Sequence, residues 1–568
     1  MGKKILSFLA CFLMTASMAF AQKQATGTVF DSDTGEPMVG VAVKVKGTNI
    51  GVLTDINGKF VLRNIPDKVQ TLDFTIVGMQ PLTVKIQNNM KVYMSSAISD
   101  LDEVMVVAYG TQKKSSFTGS AAVVDAQEIG KVQVTNAVDA LKGKAAGVQI
   151  TSMSGQPDQE STIRIRGFNS LVAGQNPLIV LDGSPYDGTL NSISPADIES
   201  MTVLKDAAST ALYGARGGNG VILITTKSGK MHKDAEITVD MKWGANMKGT
   251  RRYDVVNDPA GYYEMYYQGL YNYAANQLGK DATGAWQWAN ANLVDNTNGF
   301  GLGYNVYNVP AGQTMIGKNG KLNPNATLGN LVTGRDGNQY YLTPDDWNDE
   351  TYHTGLRQDY SVSASGSSDK GNYYASLNYL GNEGITTNSN YERITTRLKA
   401  DYNLKSWLKL GANVSYTHDD SKYVDRSEGN GEGSSSAGNV FALQYLAPIY
   451  PVYMRDATGK ILTHNESGIP AYDYGDATSG LGIARPYMGQ SNPLSDMLVD
   501  TRKSLGNKFN GVGTLQLILP YGFTVTSINS VYLDETRYND VTNPYFGQYK
   551  SQNGTTTVDE LLRVSYYE

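Results

Sequence analysis

Residues 397–417 read RLKADYNLKSWLKLGANVSYT. Leu398, Ala400 and Tyr402 alternate with Arg397, Lys399 and Asp401. After the short break at 404–406, Leu408, Leu410, Ala412, Val414 and Tyr416 alternate with Lys409, Gly411, Asn413, Ser415 and Thr417. A period of two places successive side chains on opposite faces of a strand, so each run has one apolar and one polar or charged face. The same pattern occurs earlier, where Ile237, Val239, Met241 and Trp243 alternate with Thr238, Asp240, Lys242 and Gly244. A soluble sandwich also buries one face, so alternation alone does not separate the two cases. Two further features do. The runs are about ten residues long, the length of a bilayer-spanning strand. Short turns (367–372, 404–406 and 520–522) alternate with long polar connections rich in Gly, Asn and Tyr (251–355 and 418–505). That asymmetry is the pattern of short periplasmic turns and long outer loops in a transmembrane barrel.

Composition agrees. Among 568 residues the formal net charge is −6 and charged residues make up 18%, below the roughly 25% usual for soluble domains. A mildly acidic chain carries no basic stripe for nucleic acid. Tyr is abundant at 37, and Tyr is favoured where a membrane meets water. The mean hydropathy of −0.33 is no objection, because alternation averages out in any window. Four scattered histidines (His232, His353, His418, His464) and one cysteine, Cys11, assemble no zinc, haem or iron–sulfur ligand set. No metal, cofactor or catalytic residue is expected. Asp182 and Asp187 share a Gly-Pro turn without the distinct environments that paired glycosidase acids need.

The N-terminal residues 1–21, MGKKILSFLACFLMTASMAFA, have the form of a secretion signal. Lys3 and Lys4 are the basic region, residues 5–18 are apolar, and Ala19-Phe20-Ala21 is the small-x-small pattern that predicts cleavage between Ala21 and Gln22. Cys11 lies inside the apolar run, so no lipoprotein anchor and no mature cysteine are expected. Residues 22–99 predict a small antiparallel sandwich, with Val41, Val43 and Val45 and then Phe60 and Leu62 on inner faces. Turns are expected at Asp33-Thr34-Gly35 and Ile56-Asn57-Gly58, and the short acidic run 31–35 reads as a turn rather than a calcium loop. This segment resembles the carboxypeptidase-regulatory-like domain.

Residues 100–114 contain LDEVMVVAYG, a β-prone stretch without an adjacent partner strand. It could add to the sheet edge of another protein or form the sandwich's last strand; the pattern does not choose. Residues 115–230 predict a mixed α/β unit. Its glycines, Gly167, Gly183, Gly214, Gly217, Gly218 and Gly220, read as close-packed turns. No Lys-Ser/Thr pair follows at phosphate-loop spacing, and the Ala-rich stretch 206–212 predicts one short helix.

Four phrases carry a family resemblance: LDEVMVVAYGTQKK (101–114), RIRGFNS (164–170), PLIVLDGSPYDG (177–188) and IESMTVLKDAASTALYGARGGNGVILITTKSG (198–229). With GNYYASLNYLGNEGI (371–385) they resemble the SusC/RagA family of TonB-linked outer-membrane transporters. The resemblance implies a mainly β protein: signal, sandwich, plug at 115–230 and, from 231 to 568, the first part of a 22-stranded antiparallel barrel. It implies plug-motif roles for Arg164, Arg166, Gly167, Asp182, Gly183, Gly214, Gly217 and Gly220. It makes Asp102, Glu103, Val104, Met105, Val106, Val107 and Ala108 the TonB box, pulled by TonB with ExbB/ExbD from the periplasmic side, where the sandwich would also lie. A SusD-like surface lipoprotein is the implied partner, and the substrate is an oligosaccharide, or a peptide in the RagA branch. The competing reading is an exported β-rich carbohydrate-binding or adhesion protein without transport; neither is an enzyme.

About eight strands can be counted after Lys230, the last near 561–567. Eight strands close on a barrel filled by its own side chains, so the expectation is an N-terminal fragment of a longer transporter. The last residue, Glu568, also departs from the family's terminal aromatic. In the loop 251–355, Tyr262, Tyr263, Tyr266, Tyr267, Tyr271, Tyr273, Trp286 and Trp288 cluster. Spacings of three and four favour packing against the loop's own helix over stacking on sugar rings, and no substrate residue is assigned.

Overall fold

In the computed structural model the described residues are 24–32, 35–48, 50–66, 69–77, 79–87, 89–94, 104–107, 110–113, 120–152, 155–167, 174–229, 235–249, 254–424, 443, 446–464, 467–478, 481–489, 492–541, 543 and 557–567. The expected cleavage site at Ala21 and Gln22 lies outside them, as do Asp102, Glu103 and Ala108. The chain divides into two compact units, Met1–Thr118 and Gly119–Glu568.

The first unit is a sandwich of two sheets. One orders Lys59–Leu62, Ala25–Asp31 and Met90–Met94; the other orders Gly51–Leu53, Ala42–Val45, Thr71–Thr75 and Leu82–Lys85. Val41, Val43, Val45, Phe60 and Leu62 are buried as their alternation requires, packed with Leu72, Phe74 and Val92. Each such side chain contributes about 1.5–3 kcal/mol on leaving water. One expectation is corrected: the sheets are not wholly antiparallel, since Ala25–Asp31 pairs parallel with Met90–Met94. The turn before Lys59 depends on Gly58, whose φ is 69° and where a Cβ would meet the Val29 carbonyl oxygen at 2.6 Å.

A second correction concerns Val104–Val107. It pairs antiparallel with Gly110–Lys113, from Val104 opposite Lys113 to Val107 opposite Gly110. The stretch therefore has a partner strand in its own sequence, and it forms a separate two-stranded sheet rather than the sandwich's last strand.

In the second unit, a five-stranded sheet orders Ala121–Asp125, Ile198–Leu204, Val221–Thr226, Leu178–Leu181 and Ser184–Pro185. Ile198, Met201, Val203, Ile222 and Ile224 are buried, together with Ile129, Val138 and Leu141 from the short helical turns that cover the sheet. The expected helix at 206–212 is shorter and broken. Asp206 caps an α-turn at Ala207–Thr210 by accepting from the Ser209 amide, and a 3₁₀ stretch then kinks at Gly214, whose φ is 58°.

Around this lies a meander of eight antiparallel strands: Glu236–Asn246, Gly355–Ser368, Gly371–Glu383, Asn390–Lys405, Leu408–Lys422, Thr501–Ile518, Thr524–Val541 and Thr557–Tyr567. The first and last are its edges. The strands run 11 to 18 residues, longer than the ten or so read from the alternation, because ladder pairing continues past the apolar band. An example is Arg502, which pairs with Asp540. Helices at Pro259–Asn276 and Ala282–Asn292 and a hairpin of Asn330–Thr333 with Gln339–Leu342 occupy the first long connection. The two long connections share a core that includes Tyr263, Tyr267, Tyr304, Trp347, Tyr450 and Val452.

Candidate functional site

The eight-stranded sheet is inverted relative to a soluble protein. Ile237 is 72% and Leu398 64% exposed, whereas Arg397 is 1%, Thr417 2% and Asn413 4% exposed. Apolar side chains point away from the unit and polar ones into it. Aromatic rows mark the borders of the apolar face. Trp407, Tyr402 and Tyr521 are exposed beside the short turns. At the other border the Trp243 indole donates to Tyr360 Oη at 2.9 Å, and Tyr360 stacks on Tyr379 at 5.9 Å. From Trp407 to Tyr416 the chain advances about 30 Å at roughly 3.4 Å per residue. A tilt of about 40° reduces this to about 23 Å of height, close to the apolar band of a transmembrane barrel.

The inner polar face grips the five-stranded sheet through two buried carboxylates. Asp182 sits in the turn between Leu178–Leu181 and Ser184–Pro185. Asp182 and Gly183 have φ of 49° and 88°, the two positive values that make Asp-Gly a favoured two-residue hairpin turn. The turn holds the Asp182 carboxylate so that it accepts from the Thr226 amide at 3.0 Å, Thr226 Oγ1 at 2.7 Å, Lys399 Nζ at 3.0 Å and Asn413 Nδ2 at 2.6 Å. Lys399 and Asn413 belong to neighbouring wall strands.

Asp197 is fully buried. Its carboxylate accepts from Tyr374 Oη at 3.0 Å, Ser376 Oγ at 2.6 Å and Asn378 Nδ2 at 3.1 Å, all on Gly371–Glu383. Arg397 Nε lies 3.6 Å away, and Arg397 Nη1 donates to Asn413 Oδ1 at 3.0 Å. One network thus joins both acids to three adjacent wall strands. Sequence reasoning had marked Asp182 but passed over Asp197. The available signal was electrostatic: Arg397 and Lys399 share the polar face of one strand, and buried cations require buried anions opposite them.

Further contacts extend the grip. Arg357 Nη2 donates to the Val134 carbonyl at 2.9 Å, Arg393 Nη1 to the Thr135 carbonyl at 2.9 Å, and Ser421 Oγ to Asp158 at 2.7 Å. Ser184 Oγ donates to Ser530 Oγ at 2.7 Å, and Tyr186 meets Tyr532 edge-on at 5.4 Å. Arg164 lies on the Thr162–Ile165 strand opposite Gln149. Arg166 and Gly167 turn the chain with φ of 56° and 100°. Gly217 and Gly220 serve close packing, since a Cβ would meet the Thr210 carbonyl or the Ile165 side chain at 2.8 Å.

Burial pushes the Asp182 carboxyl up, but Lys399, Arg397 and the Thr226 hydrogen bonds together hold it below the ordinary carboxylate range. A depressed folded-state value contributes stability above the unfolded value, and that contribution is lost as the pH falls through the folded one. Amide exchange in Leu178–Leu181 is therefore expected to accelerate as the pH drops below about 4, after correction for intrinsic exchange. With Lys399→Met the folded-state value rises toward the unfolded one, so that acid-induced acceleration should shrink.

The loop aromatics largely pack the loop itself. Tyr263 and Tyr267 are buried. Tyr263 Oη donates to the Tyr304 carbonyl, Tyr266 Oη to the Phe300 carbonyl at 2.6 Å and Trp286 Nε1 to the Ile316 carbonyl at 2.9 Å. Asp473, on the other long connection, accepts from Tyr304 Oη at 2.9 and 2.7 Å, and burial pushes its carboxyl up.

Two family models match this chain: TonB-dependent Receptor Plug Domain over residues 113–221, and CarboxypepD_reg-like domain over residues 25–106. The chain is 31% identical over 456 residues to TonB-dependent receptor SusC of Bacteroides thetaiotaomicron, covering 79% of this chain and 38% of that protein. It is 31% identical over 490 residues to TonB-dependent receptor P26 of Formosa agariphila, covering 86% and 40% respectively. The chain thus spans about two fifths of the length of these relatives. Among solved structures, the RagAB peptide importer in its closed-closed state superposes with a TM-score of 0.56 at 24% identity. That match covers 79% of this chain and 44% of the other, and it speaks for the fold. The plug and regulatory-like matches and the antiparallel fold agree, and the chain belongs to the SusC/RagA type of TonB-dependent receptor.

Proposed function

We propose that this chain forms the sandwich, plug and first wall strands of a TonB-dependent importer in the outer membrane of a Gram-negative bacterium. Its substrate is an oligosaccharide, captured with a SusD-like surface lipoprotein. The observation that carries this reading is the inversion of the eight-stranded sheet around a sheet held by buried carboxylates. An exported adhesion sandwich has no reason to expose Leu398 while burying Arg397. In this reading residues 22–99 are the sandwich, 115–230 the plug and Asp102 to Ala108 the TonB box.

The hairpin gives the box a defined chemistry. Val104–Val107 uses one edge to pair with Gly110–Lys113, and no described strand pairs with the other, so a TonB strand adds as a third by main-chain hydrogen bonds. Several such bonds loaded in parallel resist pulling. A peptide of residues 101–113 is expected to bind the TonB C-terminal domain and to show new cross-strand contacts by NMR. Val106→Pro should weaken binding at least tenfold by removing a ladder donor. Absence of binding by the unmodified peptide defeats the importer reading.

A further inference from the structure

Beside the helix Ala282–Asn292, the loop 312–324 folds over an open cavity of about 410 Å³, within the usual size range of small-ligand sites. Its lining is unlike the rest of the loop core. The half-buried Trp286 forms one wall, and Gln313, Thr314, Asn319, Asn323 and Lys321 supply amide, hydroxyl and ammonium groups. Leu322 and Pro324 complete the apolar part of the lining.

The charge in this lining is already balanced. Lys321 Nζ lies 2.8 Å from Glu264, which also accepts from the Leu322 amide at 2.9 Å. No carboxylate is among the described residues that line the cavity. The polar groups are also held in place: Asn323 Nδ2 donates to Gln313 Oε1 at 2.8 Å and to the Thr314 carbonyl at 3.1 Å. The Trp286 indole is fixed by its bond to the Ile316 carbonyl, with Lys318 Nζ 5.4 Å from its ring centroid. One aromatic wall with a preset ring of neutral donors and acceptors suits a ligand that has C–H faces and many hydroxyls. The negative face of the indole meets the slightly positive C–H groups of a sugar ring, while amides and hydroxyls pair with its rim. A cationic peptide terminus would meet Lys321 and the nearby Lys318 with no carboxylate among the described lining residues to receive it.

We propose that this cavity is a subsite for one or two rings of a neutral oligosaccharide. The assignment rests on the importer reading and names the surface on which such a substrate first docks.

The test uses the full chain in detergent micelles, titrated with maltohexaose, cellohexaose, xylohexaose and mannohexaose while tryptophan fluorescence and calorimetry are followed. A pentagalacturonate and a tryptic casein digest serve as charged and peptide controls. Gln313 is exposed, so Gln313→Trp fills the cavity without touching the core, and Gln313→Ala removes one polar contact. The expected result is binding of at least one neutral hexasaccharide, lost with Gln313→Trp and weakened about fivefold with Gln313→Ala, at unchanged melting temperature. The proposal is overturned if none of the four neutral sugars binds, if Gln313→Trp binds as well as the unmodified chain, or if only the controls bind. Binding of residues 101–113 to TonB is measured in parallel. Failure there strikes the importer reading, whereas failure of the sugar titration alone strikes only this subsite.

Discussion

Replacing Asp197 with alanine is expected to release the plug from the wall. The substitution removes the acceptor shared by Tyr374, Ser376 and Asn378 and leaves Arg397, 1% exposed, without its anion. Breaking one side of a buried ion pair costs about 3–5 kcal/mol, mostly because the surviving charge stays buried. That cost should appear in the docking of the plug, not in the ladders of the wall. Amide exchange in Ile198–Leu204 and Val221–Thr226 should therefore accelerate by at least a hundredfold, with the strand Leu408–Lys422 nearly unchanged. Arg397→Leu in the Asp197→Ala background should recover part of the loss, because the orphaned cation is gone. If Asp197→Ala and the double variant both exchange at the unmodified rate, the Asp197 carboxylate is not what holds the plug.

The second large effect concerns the outer face. Leu398 is 64% exposed, faces Val414 across the ladder and lies on the apolar face between the aromatic borders. In water, Leu398→Arg at so exposed a site would be neutral or would aid solubility. In a bilayer, an arginine at mid-depth costs about 2–4 kcal/mol. Leu398→Arg is therefore expected to lower the unfolding free energy measured by urea titration in lipid vesicles by that amount, and Thr396→Arg to behave differently because it lies nearer the outer end of the strand. A variant as stable as the parent in lipid would show that this face does not meet hydrocarbon, and the inverted sheet would need another explanation.

How much of this was legible beforehand differs by element. The sandwich core was readable because Val41, Val43 and Val45 follow the short period of a strand and need only a local sheet to become buried. Eight wall strands were countable for the same reason, since each is a local pattern bounded by turn residues. Their full lengths were not, because the strand ends extend past the apolar alternation and are held by pairing with residues far along the chain. The partner of Val104–Val107 escaped notice because Gly110–Lys113 is too polar to read as a strand by itself; only the ladder makes it one. Asp197 was invisible because its partners Tyr374, Ser376 and Asn378 lie 177 to 181 positions away, and no sequence period links them.

The stretch 397–417 shows where the division falls. Alternation by itself determined that these residues form two strands joined by a tight turn, each with an apolar and a charged face, because side chains on a pleated backbone must point alternately to opposite sides. It could not determine which face is inside, since the pattern is identical for a sandwich and for a barrel. That was decided only by what the folded chain brings to the charged face. Asp182 and Asp197 arrive there from the plug and neutralise Lys399 and Arg397 away from water, which leaves Leu398, Tyr402 and Val414 turned outward.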